Sequence, residues 1–258
     1  MFNKYYIFAL ITTLLVMTGC GGGGGSSSDS TLPPQPTQST PPTSYPPPDK
    51  YCALTFDDGP DKIQTAKVLD KLEKYGIKAT FMWVGENITD YNKEVIDRIV
   101  RQGHEIGNHS WNYDDMQFMT PAQITESITK TTNAIKQYTG QEPKFFRAPY
   151  LSVSDTLYET VPYPFISAGA IAKDWSTQSG GVATAQERAD NVINSMGDGT
   201  IILMHDIQPD PNPTPEALDI IIPNLLSKGY AFVTTSELFR QKGITPQAGQ
   251  KTQWTVVK

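Results

Sequence analysis

YCALTFDDGPDKIQTAKVLDKLEKYG, residues 51–76, decides the fold. Its first six residues form a continuous apolar run, too uniformly apolar for a strand with one face in water. After DDGPD the pattern changes: Ile63, Ala66, Leu69 and Leu72 recur at helical spacing until Gly76 stops them. A buried strand followed by an amphipathic helix is the repeating unit of a parallel sheet covered by helices.

The unit recurs along the chain. IKATFMWV (77–84) reads as a strand, NKEVIDRIVRQ (92–102) as a helix ending at Gly103, and HEIG (104–107) as a short strand. Thr120 as N-cap with Pro121 at the first helical position opens a long helix carrying Ile124, Ile128, Ile135 and Tyr138 and closed by Gly140. FFR (145–147) and FISAG (165–169) read as strands, AQERADNVINSM (185–196) as a helix, and TIILMH (200–205) as a strand. A helix opened by Thr214 and Pro215, with Pro223 as an expected kink, then YAFVTT (230–235) and a short helix around SELFRQ complete the series. The fold class is α/β, and about seven repeats in so short a span point to a small, distorted or incomplete (β/α) barrel. Neither a glycine-rich dinucleotide fingerprint nor a phosphate-loop motif follows any strand.

The chain has 258 residues, but the first 50 read differently from the rest. MFNKYYIFALITTLLVMTGC has one cation, Lys4, then an apolar core and small residues before Cys20. This is the pattern of an export signal, and its end resembles the bacterial lipobox, with residues 1–19 removed and Cys20 acylated. Acyl chains would hold the protein on a bacterial membrane, facing periplasm or cell exterior, without spanning it. Residues 20–50 hold eight of the twenty prolines and long Gly and Ser runs, too little apolar surface to fold, and read as a tether. The expected domain is 51–243, followed by a tail, 244–258.

Composition excludes several functions. Lys4 and Lys50 balance Asp29 and Asp49, so the whole formal charge of −6 belongs to residues 51–258, which makes nucleic acid an unsuitable partner. Two cysteines cannot build a disulfide framework or a Cys-rich zinc module; with Cys20 acylated, Cys52 in its apolar run is expected to be a buried thiol. Histidine occurs only three times. No G-x-S-x-G elbow supplies a serine nucleophile, and the adjacent Asp57 and Asp58 cannot flank a glycosidic bond as a glycosidase pair must.

The residues capable of chemistry share one placement. Asp57 and Asp58 follow the first strand, His109 follows HEIGN, Arg147 ends FFR, Asp174 follows FISAG and His205 ends TIILMH. In a β/α barrel the C-terminal strand ends converge on one site, so residues distant in sequence become neighbours.

TFDDGP (55–60), GHEIGNHSW (103–111), FFRAPY (145–150), KDW (173–175) and LMH (203–205), in that order, resemble the five motifs of the polysaccharide deacetylases, carbohydrate esterase family four. The resemblance spans most of 51–243. It implies a metal-dependent hydrolase that removes acetyl groups from an extracellular polysaccharide or oligosaccharide. It further implies that Asp58 and His109 ligate one divalent metal ion (zinc, cobalt, nickel or manganese) and that Asp57 is the general base, oriented by Arg147. The Tyr150 backbone N–H would help hold the oxyanion, and His205, held by Asp174, would protonate the leaving group. Trp175 and Leu203 would enclose the acetyl methyl.

This sequence departs from the family pattern at informative places. The second histidine ligand, four residues after the first, is replaced: those positions hold Tyr113 and Asp114. Tyr113 directly or through water, Asp114, or water alone would then complete the shell. Leu151 stands where glycine is common, and Ile171 where an aspartate often precedes KDW. His104 is expected to be structural. The substrate reading leans to O-acetyl xylan, with N-deacetylation of chitin oligomers or peptidoglycan, or a catalytically impaired glycan binder, as alternatives. A tethered enzyme acting on a polymer is expected to be a monomer.

Overall fold

The apolar run and the helical spacing after it become β1 (Lys50–Asp57) and α1 (Gln64–Tyr75), closed by Gly76 in the left-handed conformation. The computed structural model describes residues 45–175, 177–178 and 181–258. The expected signal peptide, Cys20 and most of the tether lie outside the described residues. Among the described residues no helix is long and apolar enough to cross a membrane.

The elements that follow are β2 (Thr80–Trp83), α2 (Lys93–Arg101), β3 (Glu105–Asn108), α3 (Pro121–Thr139), α4 (Asp155–Thr160), β4 (Phe165–Ile166) and β5 (Ala170–Ile171). A short antiparallel hairpin, β6 (Thr177–Gln178) and β7 (Gly181–Val182), leads to α5 (Ala185–Ile193) and β8 (Thr200–His205). Then come α6 (Thr214–Ser227), β9 (Tyr230–Val233), α7 (Thr235–Gln241) and β10 (Gln253–Trp254). The signals at 120–123 act as a full capping box: the Thr120 hydroxyl accepts from the Gln123 N–H, and the Gln123 side chain accepts from the Thr120 N–H. Ile63 behaves differently from its expected place on the buried face. It is the N-cap of α1 and is 57% exposed, because the helix starts one residue later and turns Thr65, Val68, Leu69 and Leu72 inward. Pro223 lies within α6, which runs on past it to Ser227.

All strands of the main sheet are parallel. β8 pairs with β1 from Cys52 to Asp57 on one side. The other side is shared, with β2 beside Thr55–Asp57 and β9 beside Lys50–Ala53. β2 pairs with β3, and single bridges carry the path from Asn108 to Phe146 and from Phe146 to Phe165. β5, three residues beyond β4, pairs with β8 and so returns to the start. The distortion of the barrel is in these last steps. FFR contributes one bridged residue rather than a strand, and the segment from Phe165 is split into two short strands.

The cause of the split is the C-terminus. β10 pairs with β4, the Ser167 N–H donates to the Trp254 carbonyl, and the Ile201 N–H donates to the Thr255 carbonyl, so residues 253–257 fill the seam between β4 and β8. Gly199, at φ 83°, allows this: a Cβ there would lie 1.8 Å from the Val257 carbonyl oxygen. Val257 is wholly buried, so 244–258, set apart in the sequence as a tail, packs into the same unit.

Beneath the helices, Leu54, Phe56, Phe81 and Met204 meet Leu69, Ile96, Leu218 and Ile221 in one core. Burying each such side chain contributes roughly 1.5–3 kcal/mol before the entropy of ordering. Among the described residues Cys52 is buried and has no disulfide partner, with burial pushing its thiol pKa far up, so it is packing material.

Candidate active site

Register brings the first two groups together. Asp57 ends β1, His205 ends β8, and the two are directly paired in the ladder. Beyond Asp57 the backbone leaves the sheet, with Asp58 at φ 83°, held by the Asn87 amide donating to its carbonyl. The two adjacent carboxylates therefore have separate environments: Asp57 is buried, whereas the Asp58 side chain is partly open to the cavity.

Arg147 is buried below them and divides its donors. Nη1 donates to Asp57 Oδ1 at 2.5 Å and to Thr55 Oγ1 at 2.8 Å, and Nη2 donates to the Ser167 carbonyl at 2.7 Å. Burial works against a charged Asp57, but Arg147, with His109 and His205 nearby, holds its carboxyl below the usual value. Oδ2 is left on the cavity side, where an ionised carboxylate oxygen can accept a proton.

His109 is oriented by the Arg147 main chain. A carbonyl only accepts, so the 2.8 Å contact of Nδ1 with the Arg147 oxygen places the proton on Nδ1. Nε2 then points at Asp58 Oδ1, 3.5 Å away, and Asp57 Oδ2, 3.6 Å away. Three electron-rich atoms this close repel unless positive charge lies among them. Burial would lower the His109 pKa, but Asp57 and Asp58 raise it above the usual value. A divalent cation fits the same place. Two ligands each about 2.1 Å from one ion stand about 3.0–3.4 Å apart at octahedral to tetrahedral angles, close to the Asp58–His109 spacing. Among the described residues, no three His, Cys, Asp or Glu side chains are grouped to hold a metal.

The substitute donors are on different faces of their loop. Tyr113 lines the same cavity as Asp58 and His109, while Asp114 lines a separate hollow beside Trp111. Burial and the charge of Asp58 push the Tyr113 phenol pKa up, so it stays protonated.

On the opposite side Asp174 holds His205 twice. Oδ2 accepts the His205 backbone N–H at 2.6 Å, and Oδ1 lies 2.8 Å from Nδ1, which turns Nε2 toward Asp58 Oδ2 at 3.9 Å. Burial would lower the His205 pKa, but Asp174, supported by Asp57 and Asp58, raises it to about 9. Near neutral pH it is a charged imidazolium, a proton donor in waiting.

These groups surround a cavity of about 380 Å³. Trp175, with its ring edge-on to His205, and Leu203 give it an apolar wall, and Tyr150 and Leu151 form another. The non-glycine residues with left-handed backbone among those described are Asp58, Ser110, Tyr150, Leu151 and Lys173, every one beside a site segment. Such conformations cost about 1 kcal/mol each and persist where the surroundings enforce them. Leu151, at φ 56°, shows why glycine would be natural there: a conformation that suits glycine is used to put a leucine side chain on the wall.

Apart from Asp114, the candidates therefore reach one cavity or its support, and Ile171 lies in β5. His104 is elsewhere, buried against Phe81 and accepting the Ala79 N–H on Nδ1; burial takes its pKa down to about 4. Sequence reasoning missed Asp206. Its buried carboxylate accepts from Thr65 Oγ1 and presses on Gly59, where a Cβ would lie 2.5 Å from Oδ2. Burial pushes its pKa up to about 7, opposed by the Thr65 hydroxyl. The available signal was its place directly after His205 at a strand end. Arg188 and Thr214, behind Asp174, gave none: AQERADNV reads as an ordinary amphipathic helix.

A family model described as polysaccharide deacetylase matches residues 44–163. Among solved structures, the family 4 acetyl xylan esterase from Clostridium thermocellum in complex with a cobalt ion is 52% identical, with a TM-score of 0.77, over 81% of this chain and 99% of that one. The bifunctional xylanase/deacetylase of Pseudobutyrivibrio xylanivorans is 43% identical over 209 residues, 81% of this chain and 33% of that protein. A peptidoglycan-N-acetylglucosamine deacetylase of Listeria monocytogenes is 35% identical over 211 residues, 81% of this chain and 43% of that protein. The chain spans less than half the length of these two curated relatives.

Proposed function

The chain belongs to the polysaccharide deacetylase family, and from that premise we propose that it hydrolyses acetyl groups from an extracellular polysaccharide, with O-acetyl xylan as substrate. The observation that carries the reading is the pair of unlike groups across the cavity: Asp57 with one oxygen locked by Arg147 and one free, and His205 kept charged by Asp174. A base and an acid held on opposite sides suit addition of water to a carbonyl and departure of an alkoxide.

Asp58 and His109 would hold a divalent cation, with Tyr113, directly or through water, completing the shell. When bound, such an ion polarises the acetyl carbonyl and makes water more acidic. Asp57 Oδ2 takes the proton of water as its oxygen bonds to the acetyl carbon. The Tyr150 N–H helps hold the oxygen that gains charge. Trp175 and Leu203 receive the methyl. As the bond to the sugar oxygen breaks, His205 Nε2 gives that oxygen its proton, leaving acetate and a sugar hydroxyl.

Xylan is favoured because the acetyl xylan esterase and the xylanase/deacetylase resemble this chain more than the Listeria enzyme does. The latter likeness supports a second reading, N-deacetylation of peptidoglycan. Cys20 as a lipid anchor, 20–50 as a tether and attachment to an exported membrane face complete the proposal, supported by the lipobox-like end of the first segment. Acetate release from acetylated xylan, chitin oligomers and peptidoglycan tests the substrate. Fastest release from xylan is expected; release from the N-acetyl polymers alone would replace it with the second reading, and release from none would remove the enzyme reading for these substrates.

A further inference from the structure

Behind the Asp174–His205 pair lies a buried guanidinium that the chemistry above does not use. Arg188 is in α5, whose start is set by a capping box between Thr184 and Glu187. The helix packs on α6 through Ala189, Val192, Leu218 and Ile221, and this turns Arg188 inward to complete burial. Its Nε donates to the Ala183 carbonyl at 3.0 Å, and Nη1 donates to Asn212 Oδ1 at 3.0 Å and Thr214 Oγ1 at 2.7 Å. Thr214, the first residue of α6, is wholly buried and lies with its hydroxyl 3.4 Å from Asp174 Oδ2.

The direction of these bonds is forced. A guanidinium has donors and no acceptor, so the Thr214 oxygen must accept from Arg188, and its own proton is left for Asp174. Asp174 Oδ2 then receives both the Thr214 hydroxyl and the His205 backbone N–H, which leaves Oδ1 to His205 Nδ1. A buried arginine is costly to hold for packing alone, and apolar residues of similar volume often serve as well or better. Among the described residues Arg188 Nη2 finds no partner, which adds to that cost.

We propose that Arg188 and Thr214 are positioning residues for His205: the chain Arg188–Thr214–Asp174 fixes the carboxylate that aims the imidazole at the leaving group. This rests on the reading of His205 as general acid. The role differs from structural support in its dependence on the leaving group. A sugar alkoxide needs a proton to leave, whereas 4-nitrophenolate does not, so loss of aim costs more on the first ester.

The test compares Thr214→Val, similar in shape without the hydroxyl, with Thr214→Ser, which keeps it. The His205 Nδ1 proton resonance is followed by NMR, and kcat/KM is measured on acetylated xylan and on 4-nitrophenyl acetate. Thr214→Val is expected to move the resonance, and to lower kcat/KM about tenfold on xylan but less than about threefold on the aryl ester, as loss of a hydrogen bond to a charged group would. Thr214→Ser should retain both properties, and Arg188→Met should follow Thr214→Val. An unmoved resonance in Thr214→Val, or equal losses on the two esters, overturns the proposal. If the unaltered protein releases no acetate the proposed activity fails, and the resonance still decides whether the chain of contacts holds His205.

Discussion

Arg147 splits the Asp57 carboxylate into two unlike oxygens: Nη1 holds Oδ1 at 2.5 Å, and Oδ2 faces His109 Nε2 at 3.6 Å. The guanidinium thus sets where the base points and also keeps it ionised below a buried strand end.

Replacing Arg147 by Ala would leave a buried carboxylate without its partner. A loss of about 3 kcal/mol in unfolding free energy is expected, the usual size when one member of a buried pair is removed. Arg147→Lys keeps the charge but cannot reach Asp57, Thr55 and the Ser167 carbonyl together, so kcat should fall more than KM changes. Urea unfolding and steady-state kinetics check the two effects.

The His205 pKa of about 9 lies above its ordinary value of 6.5. Its pairing with Asp174 therefore contributes stability that is fully present below about pH 6.5 and is lost as pH rises through about 9. Asp57 has the opposite sign: its lowered pKa contributes stability above the ordinary carboxylate value of 3.8 that is lost on acidification. In the chelated protein, Asp174→Asn should move the alkaline loss of stability to lower pH, which denaturation across about pH 6–10 will show.

Gly59 lies against Asp206, so Gly59→Ala should push the Asp57–Asp58 turn out of place. A destabilisation of about 1–3 kcal/mol is expected, together with weaker binding of cobalt or zinc in calorimetric titration. Adding Asp206→Ser to open space should recover part of the metal affinity if the collision is the cause.

The C-terminal segment closes a seam that the main strands leave open. Truncation after Gln250 would strip Ile201 of the Thr255 carbonyl and empty the site of the buried Val257. The truncated protein is expected to unfold at a midpoint lower by several degrees, a shift typical of about 2 kcal/mol in a domain of this size.

Much of the fold was legible where a local signal and the tertiary fold agree. Thr120–Pro121 and Gly140 bound α3 because capping chemistry acts over a few residues, and TIILMH is β8 because a buried parallel strand is apolar throughout. The split at Phe165–Ile171 was not legible. It depends on β10 entering from 80 or more residues away, and a two-residue strand carries no periodicity. At the site, the strand-end residues were visible because their chemistry departs from the apolar run before them. Arg188 was hidden because only the packing of α5 on α6 brings it behind Thr214 and Asp174, and Asp206, although it follows His205 directly, meets Gly59 only through the turn after β1. The unexpected C-terminal strand and the buried arginine share one physical origin: contacts distant in sequence decide them.

Acetate release from O-acetyl xylan, measured before chelation, after it, and after return of a divalent cation, in parallel with Asp57→Asn, tests the central claim most directly. The expected result is turnover that is lost with the ion and restored by it, with Asp57→Asn still binding metal but slowed by about 10²-fold or more. Undiminished release from the chelated protein, or full turnover by Asp57→Asn, would contradict the account.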